Sequence, residues 1–133
     1  MRTDLEIALD SGTAPWKEIE YRCKEFWIFR DAYPVTEGHL LFVPTSQTSD
    51  CLYACFKAAY IWGYNGLQDE KWTGFNVGQN VGESAGQTVS WPHIHLIPRR
   101  NGDIEDPTGG VRNVIPGKGN YRQNKISKDL AKT

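Results

Sequence analysis

The sequence predicts an α+β fold: a small antiparallel sheet with helices on one face. Three observations lead there. About five short segments combine aromatic and β-branched residues in the manner of strands. A single stretch carries a clear helical repeat. The connections between neighbouring segments are short, which favours antiparallel pairing over the long crossovers that parallel strands require.

In chain order, residues 1–15 read as a loosely held arm with a short helical piece around Leu5 to Leu9. Ile19 to Tyr33 is strand-like, and the polar break at Lys24-Glu25 suits a hairpin turn. Alternation puts Phe26, Ile28 and Arg30 on one face and Trp27, Phe29 and Asp31 on the other. Pro34 ends this run. Gly38 opens a second strand, His39 to Val43, stopped by Pro44. Thr48 or Ser49 suits a helix N-cap, with Asp50 in the first turn. Leu52, Cys55, Phe56 and Ala59 then recur on one helical face. The helix is expected to reach about Gly63 and to stop at Asn65-Gly66. Trp72 to Val81 reads as another strand, loosened by Gly74 and Gly78. Residues 82–90 form a polar turn, and 93–97 a last short strand. From Gly102 to Thr133 glycine, proline and charge recur at short intervals. That tail is too long to hang free, so it is expected to pack over the sheet or on a partner subunit.

Size and charge narrow the function classes. A chain of 133 residues suits one domain with a single sizeable core. A formal net charge of -1 argues against indiscriminate binding of a nucleic-acid polymer, which needs clustered basic charge. The apolar runs are too short to span a bilayer, and residues 1–12 hold nothing like a signal-peptide core. The expectation is therefore a cytoplasmic protein away from membranes. Three cysteines, with Cys51 and Cys55 four apart, suit reduced thiols better than a disulfide or a CxxC metal clip. Five tryptophans point to flat ligand-stacking surfaces or a dimer interface, and equally to a tryptophan-rich core.

The chemistry concentrates in the stretch from Gly86 to Arg99. On a strand, His93 and His95 share a face about 7 Å apart, while Ile94 and Leu96 turn to the core. A neutral imidazole is a good nucleophile toward phosphorus. Its tautomer must be set by a second group, such as His95 or a backbone carbonyl. Phosphoryl transfer also needs donors at the transferring oxygens, and Gly86-Gln87-Thr88 offers backbone N–H groups, an amide and a hydroxyl. Gly82 and Gly86 let that backbone come close to a ligand. Other readings of the same residues stay open. The two histidines also suit a plain strand pair, and His-x-His is a zinc-ligand spacing that His39 or Glu83 would complete. Asp31 suits either a turn cap or a sugar's vicinal hydroxyls. Arg99 and Arg100 suit phosphates or a solvated strand end. Alternation puts Asn76 and Asn80 on one face.

Taken together, these residues resemble the histidine triad (HIT) superfamily of nucleotide hydrolases and transferases, over roughly Ile19 to Tyr121. Phe29-Arg30-Asp31-Ala32-Tyr33-Pro34 with Gly38 to Pro44 is similar to the family's first block. Asn80-Val81-Gly82-Glu83 leads into Ala85-Gly86-Gln87-Thr88-Val89. The signature His-φ-His-φ-His-φ-φ, with φ apolar, reads Trp91-Pro92-His93-Ile94-His95-Leu96-Ile97. The tail from Gly102 to Arg112 resembles that of a bacterial branch.

The resemblance implies one HIT-like domain over residues 1–133. It implies a five-stranded antiparallel sheet with helices, joined across a homodimer into ten strands. It further implies that His93 attacks the α-phosphate of a purine nucleotide, with His95 and His39 supporting it. Asp31 would bind the ribose hydroxyls, Phe29 would line the base pocket, and Asn80, Gln87 and Thr88 would hold phosphates. No cofactor is required, although a divalent metal can serve as the substrate's counter-ion. Nucleoside phosphoramidates and dinucleoside polyphosphates such as diadenosine tetraphosphate are the implied substrates. The sequence departs from the pattern where Trp91 replaces the first signature histidine. Two other functions are therefore carried beside hydrolysis: nucleotide binding with weak or no turnover, and a metal-dependent enzyme using His93, His95 and His39.

Overall fold

A computed structural model describes residues 1–122, which form two compact units that meet in sequence at Arg100 and Asn101. The first unit holds helix α1 (Asp4–Ser11), strands β1 (Ile19–Arg22), β2 (Phe26–Arg30) and β3 (Leu40–Pro44), helix α2 (Ser49–Gln68), and strands β4 (Gly74–Gly78) and β5 (Ile94–Arg99). The five strands form one antiparallel sheet in the order β1-β2-β3-β5-β4. The α+β expectation therefore stands, with its two helices.

The helices do not share a face. β3 is buried at all five positions, so both of its sides need an apolar cover. Leu40 and Phe42 join Ile28, Ile94 and Leu96 under α2, at Cys55, Ala58 and Ala59. Leu41 and Val43 turn the other way and join Phe29 and Trp91 under α1, at Leu5 and Ala8.

Residues 1–15 are accordingly not a loose arm. Thr3 and Glu6 form a capping box at the start of α1, and Gly12 closes the helix in the left-handed conformation at φ 81. Leu5 is fully buried, and its backbone N–H donates to the Thr45 carbonyl at 3.1 Å. An eight-residue helix is marginal alone, and packing of its apolar stripe holds it.

Other boundaries shift for local reasons. The strand-like run from Ile19 breaks at Lys24-Glu25 into the β1–β2 hairpin, as its polar pair predicts. α2 is capped by Thr48 but continues past Asn65-Gly66 to Gln68. Gly66 does not stop the helix; it makes room for a ring. A Cβ there would overlap the Trp72 indole, whose Nε1–H donates to the Gly63 carbonyl at 2.9 Å. β4 is shorter than the run Trp72 to Val81. β5 starts one residue after His93, because Pro92 has no N–H to give the ladder. Cys23, Cys51 and Cys55 are free thiols.

The second unit folds on itself around a short 3-10 turn, Gly110–Val114. Arg112 Nε donates to the Gly119 carbonyl at 3.0 Å, and Asn120 Nδ2 donates to Asp106 Oδ2 at 2.6 Å. The last part of the expected tail, 123–133, lies outside the described residues. Among the described residues, no helix is long and apolar enough to cross a membrane.

Candidate active site

Strand register assembles the site. β3 and β5 pair with Leu41 opposite His95 and Leu40 opposite Leu96. Alternation then sends His93 and His95 to the α1 side of the sheet, along with Trp91, and His39 joins them from the residue before β3. The three histidines lie close: the His39 and His95 ring centroids are 5.2 Å apart, and so are those of His93 and His95.

Hydrogen bonds to groups of fixed role decide all three tautomers. A backbone N–H can only donate, and that of Val35 lies 3.2 Å from His39 Nδ1. Nδ1 therefore accepts, and neutral His39 carries its proton on Nε2. That Nε2 is 2.9 Å from His95 Nδ1 and 3.4 Å from Asp31 Oδ2. His95 Nδ1 accepts in turn, so its own proton sits on Nε2. A carbonyl can only accept, and that of Trp91 lies 2.9 Å from His93 Nδ1. His93 thus keeps its proton on Nδ1 and presents a bare lone pair at Nε2.

The electrostatics hold the pair behind His93 neutral. Burial pushes the pKa of His39 down from 6.5, against the pull of Asp31. Burial also pushes His95 down to about 4, helped by repulsion from His93 and His39 and opposed by Asp31. Both groups bind protons more weakly folded than unfolded, so stability rises with pH while they titrate. Their contribution is present above about pH 6.5 and is lost as pH falls toward 4. The urea midpoint is expected to drop across that window more steeply in the wild type than in His95→Asn. Equal slopes for the two proteins count against a buried neutral pair.

Each expected site residue has a definite place. Asp31 takes the turn-cap role: Oδ1 accepts from the Tyr33 N–H at 2.8 Å, while Oδ2 lies 3.4 Å from His39 Nε2. Gln87 braces the 82–90 loop: Oε1 accepts from the Gly82 N–H at 2.9 Å, and Nε2 donates to the Val89 and Ser90 carbonyls. Gly82 and Gly86 hold φ near +90, which favours glycine. Asn80, just before that loop, and Thr88, on it, stand exposed, outside the histidine network. Asn76 accepts from Arg99 Nη1 at 2.8 Å, and Arg100 Nη1 donates to the Glu37 carbonyl, so both arginines brace strand ends.

Two residues need correction. Phe29 has no exposed surface, so in this conformation it cannot touch a base. It is a core residue behind Trp16, whose ring is 5.9 Å away. Trp16 is the residue that sequence reasoning missed. It is half-buried, and its ring lies 4.9 Å from His93 at a tilt of 59°. It follows Pro15 in a segment without periodicity, and only the abundance of tryptophan hinted at a flat surface there. Trp91, at the first signature position, is 6% exposed, and its Nε1–H donates to the Pro44 carbonyl at 3.0 Å.

The donor atoms that converge most tightly are those of Asp31, His39 and His95, all within 4.8 Å of one another. They differ from the metal set His93, His95 and His39 suggested by spacing. They also fit an ion poorly. To ligate through Nε2, neutral His39 would have to move its proton to Nδ1, where the Val35 N–H already points.

The HIT domain family matches residues 16–102. The chain is 32% identical to an uncharacterised HIT-like protein of Methanocaldococcus jannaschii, over 78% of this chain and 85% of that one. It is 30% identical to the nitrilase and fragile histidine triad fusion protein NitFhit of Caenorhabditis elegans, covering 69% of this chain but only 22% of that longer protein. A crystal structure of a HIT family hydrolase from Legionella pneumophila superposes with a TM-score of 0.56 at 25% identity, over 73% of this chain and 93% of the other.

Proposed function

The chain belongs to the HIT domain family, and on that premise we propose that it is a nucleotide hydrolase working through a nucleotidyl-His93 intermediate. Its substrates are nucleoside phosphoramidates or dinucleoside polyphosphates such as diadenosine tetraphosphate, with a purine base, and its product is a nucleoside monophosphate. One hydrogen bond carries the reading. The Trp91 carbonyl accepts a hydrogen bond from His93 Nδ1–H, so the neutral ring has its lone pair on Nε2.

The steps follow from that atom. Nε2 attacks the α-phosphorus as the bond to the leaving group breaks, and the ring becomes an imidazolium that keeps its Nδ1–H. Water then attacks the same phosphorus, the N–P bond breaks, a water proton passes to solvent, and the imidazole is neutral again with its Nδ1–H. His95 offers its Nε2–H to a phosphoryl oxygen, where charge builds. His39 holds His95 in that tautomer. Asn80, Thr88 and the backbone braced by Gln87 take the remaining phosphate oxygens. Asp31 takes the ribose hydroxyls, and Trp16, backed by Phe29, gives the base a flat surface. No step requires a metal; a divalent cation enters only as the substrate's counter-ion. Free thiols fit a cytoplasmic setting.

The test is to trap the intermediate. Wild-type protein mixed with an α-labelled substrate in excess chelator is expected to hold acid-labile, base-stable label after quenching, and His93→Ala none. Tight nucleotide binding without label favours a binder, and label that needs added metal favours the metal enzyme; either result sinks the proposal.

The working unit is proposed to be a homodimer. Among the described residues, β4 is an edge strand with an open ladder side. Beside it, Tyr60 and Tyr64 of α2 pack edge-on against Phe75 while staying 56% and 46% exposed. Pairing β4 with its copy would cover both features and give ten strands. Light scattering at micromolar concentration is expected to return twice the chain mass, and a monomer mass refutes the pairing.

A further inference from the structure

We infer that Cys51 is a redox-active thiol, oxidised by a hydroperoxide and resolved by Cys23 into a disulfide that clasps the β1–β2 hairpin to the start of α2. All three cysteines of the chain face the α2 side of the sheet, opposite the histidines, and none enters the nucleotide chemistry. Cys51 lies in the first turn of α2, and Cys55 one turn later in the core with Phe42. Tyr21 packs on Trp62 of α2 with ring centroids 5.4 Å apart, and strand alternation turns Cys23 to the same side. Cys23 and Cys51 both keep exposed surface, whereas Cys55 is buried. Thr45, the residue after β3, ties the two segments together. Its N–H donates to the Glu25 carbonyl at 3.0 Å and its hydroxyl to the Lys24 carbonyl at 2.7 Å, which fixes the hairpin turn. The same hydroxyl oxygen is 3.9 Å from Cys51 Sγ.

A ring of hydroxyls makes Cys51 the attacking thiol. Thr48 Oγ1 accepts the Cys51 N–H at 3.3 Å, so its own proton is free for Ser46 Oγ at 3.2 Å, and the Ser46 proton for Cys51 Sγ at 3.4 Å. Burial opposes ionisation there, but hydrogen bonds from Ser46, Thr48 and Thr45 outweigh it and hold the Cys51 pKa below the ordinary thiol value. Burial, with the charges of Cys51 and Cys23, pushes Cys55 up to about 12, so it stays a thiol. Cys55 is also badly placed as a partner. Cβ atoms on successive turns of a helix stand about 5–6 Å apart, against about 3.5–4.5 Å in a disulfide. Cys23 has no such constraint. It ends an edge hairpin whose β1 is exposed at every position, and its Sγ lies 3.3 Å from the Phe26 carbonyl.

Two steps balance the electrons. The Cys51 thiolate attacks one peroxide oxygen, the O–O bond breaks, and the other oxygen leaves with its electron pair and takes a proton from solvent. Cys51 is then a sulfenic acid. The Cys23 sulfur attacks the Cys51 sulfur, the S–S bond forms, the S–O bond breaks, and the oxygen departs as water with the Cys23 proton. The two thiols have passed two electrons to the peroxide.

The experiment treats the full chain, reduced and then freed of reductant, with a small excess of hydrogen peroxide. Catalase stops the reaction, and the remaining thiols are alkylated in denaturant. Of the three alkylatable thiols only one, Cys55, is expected to remain, with peptide mapping placing the disulfide between Cys23 and Cys51. Dithiothreitol is expected to return all three. In Cys23→Ser, dimedone is expected to tag Cys51 and no disulfide to form. Without peroxide, iodoacetamide is expected to modify Cys51 of the folded protein faster than Cys23, and Ser46→Ala to slow Cys51 alone. Three thiols left untouched by peroxide overturn the inference, as does a disulfide that joins Cys55 or links two copies of the chain. A Cys51 that alkylates no faster than Cys23 overturns it too.

Discussion

Replacing His93 with alanine is expected to lower release of nucleoside monophosphate by about 10⁴-fold or more, while nucleotide affinity changes little. The size follows from the role. Loss of a covalent nucleophile removes the bond-forming atom, and such losses are far larger than those of a supporting donor. His95 cannot stand in, because its Nδ1 lone pair is engaged by His39 and its Nε2 carries a proton. Water is the only remaining nucleophile. The fold should survive, since His93 is half-buried and lies just before β5, outside both apolar clusters. The assay is single-turnover release of labelled monophosphate, with thermal melting and nucleotide affinity measured on the same preparation. A variant that keeps more than about a tenth of the wild-type rate places the chemistry elsewhere.

Replacing Trp91 with alanine is expected to cost about 3–5 kcal/mol of stability, the usual range for deleting a large buried aromatic. Its neighbours are Leu5, Ala8 and Ala14 from the N-terminal segment and Phe29, Leu41 and Val43 from the sheet. Alanine would leave a cavity between the two layers. It would also leave the Pro44 carbonyl without its donor, about 1 kcal/mol more. α1 is short and depends on this packing, so it should loosen first. Urea unfolding followed by circular dichroism measures the loss, and proteolysis within residues 1–15 reports the loosening. A loss below about 1 kcal/mol would mean that the indole is not the wedge holding α1 to the sheet. Trp91 is thus a core residue of the sheet's α1 side.

Much of this was legible from neighbours in the chain. Pro34 and Pro44 bound their strands, Lys24-Glu25 turns the first hairpin, and Thr48 caps α2, because each acts on backbone within a few residues of itself. His93 and His95 share a face for the same reason: strand alternation is a local rule. What sequence could not show involves partners far apart. Gly66 looks like a helix stop until the Trp72 ring fills the space beside it. Residues 1–15 look loose until Leu5 meets the sheet. Trp16 reaches His93 across 76 intervening positions, and no periodicity marks it.

The sequence by itself therefore determined the α+β class, the family resemblance and the identity of the candidate nucleophile, because these rest on short-range spacing. Only the tertiary structure decided which nitrogen of each histidine bears the proton, that Phe29 and Trp91 are core, and that Trp16 stands against His93. The reason is physical. A tautomer is set by whatever donor or acceptor lies within about 3 Å. For His95 that partner is His39, 56 residues away along the chain, so only folding brings it into place.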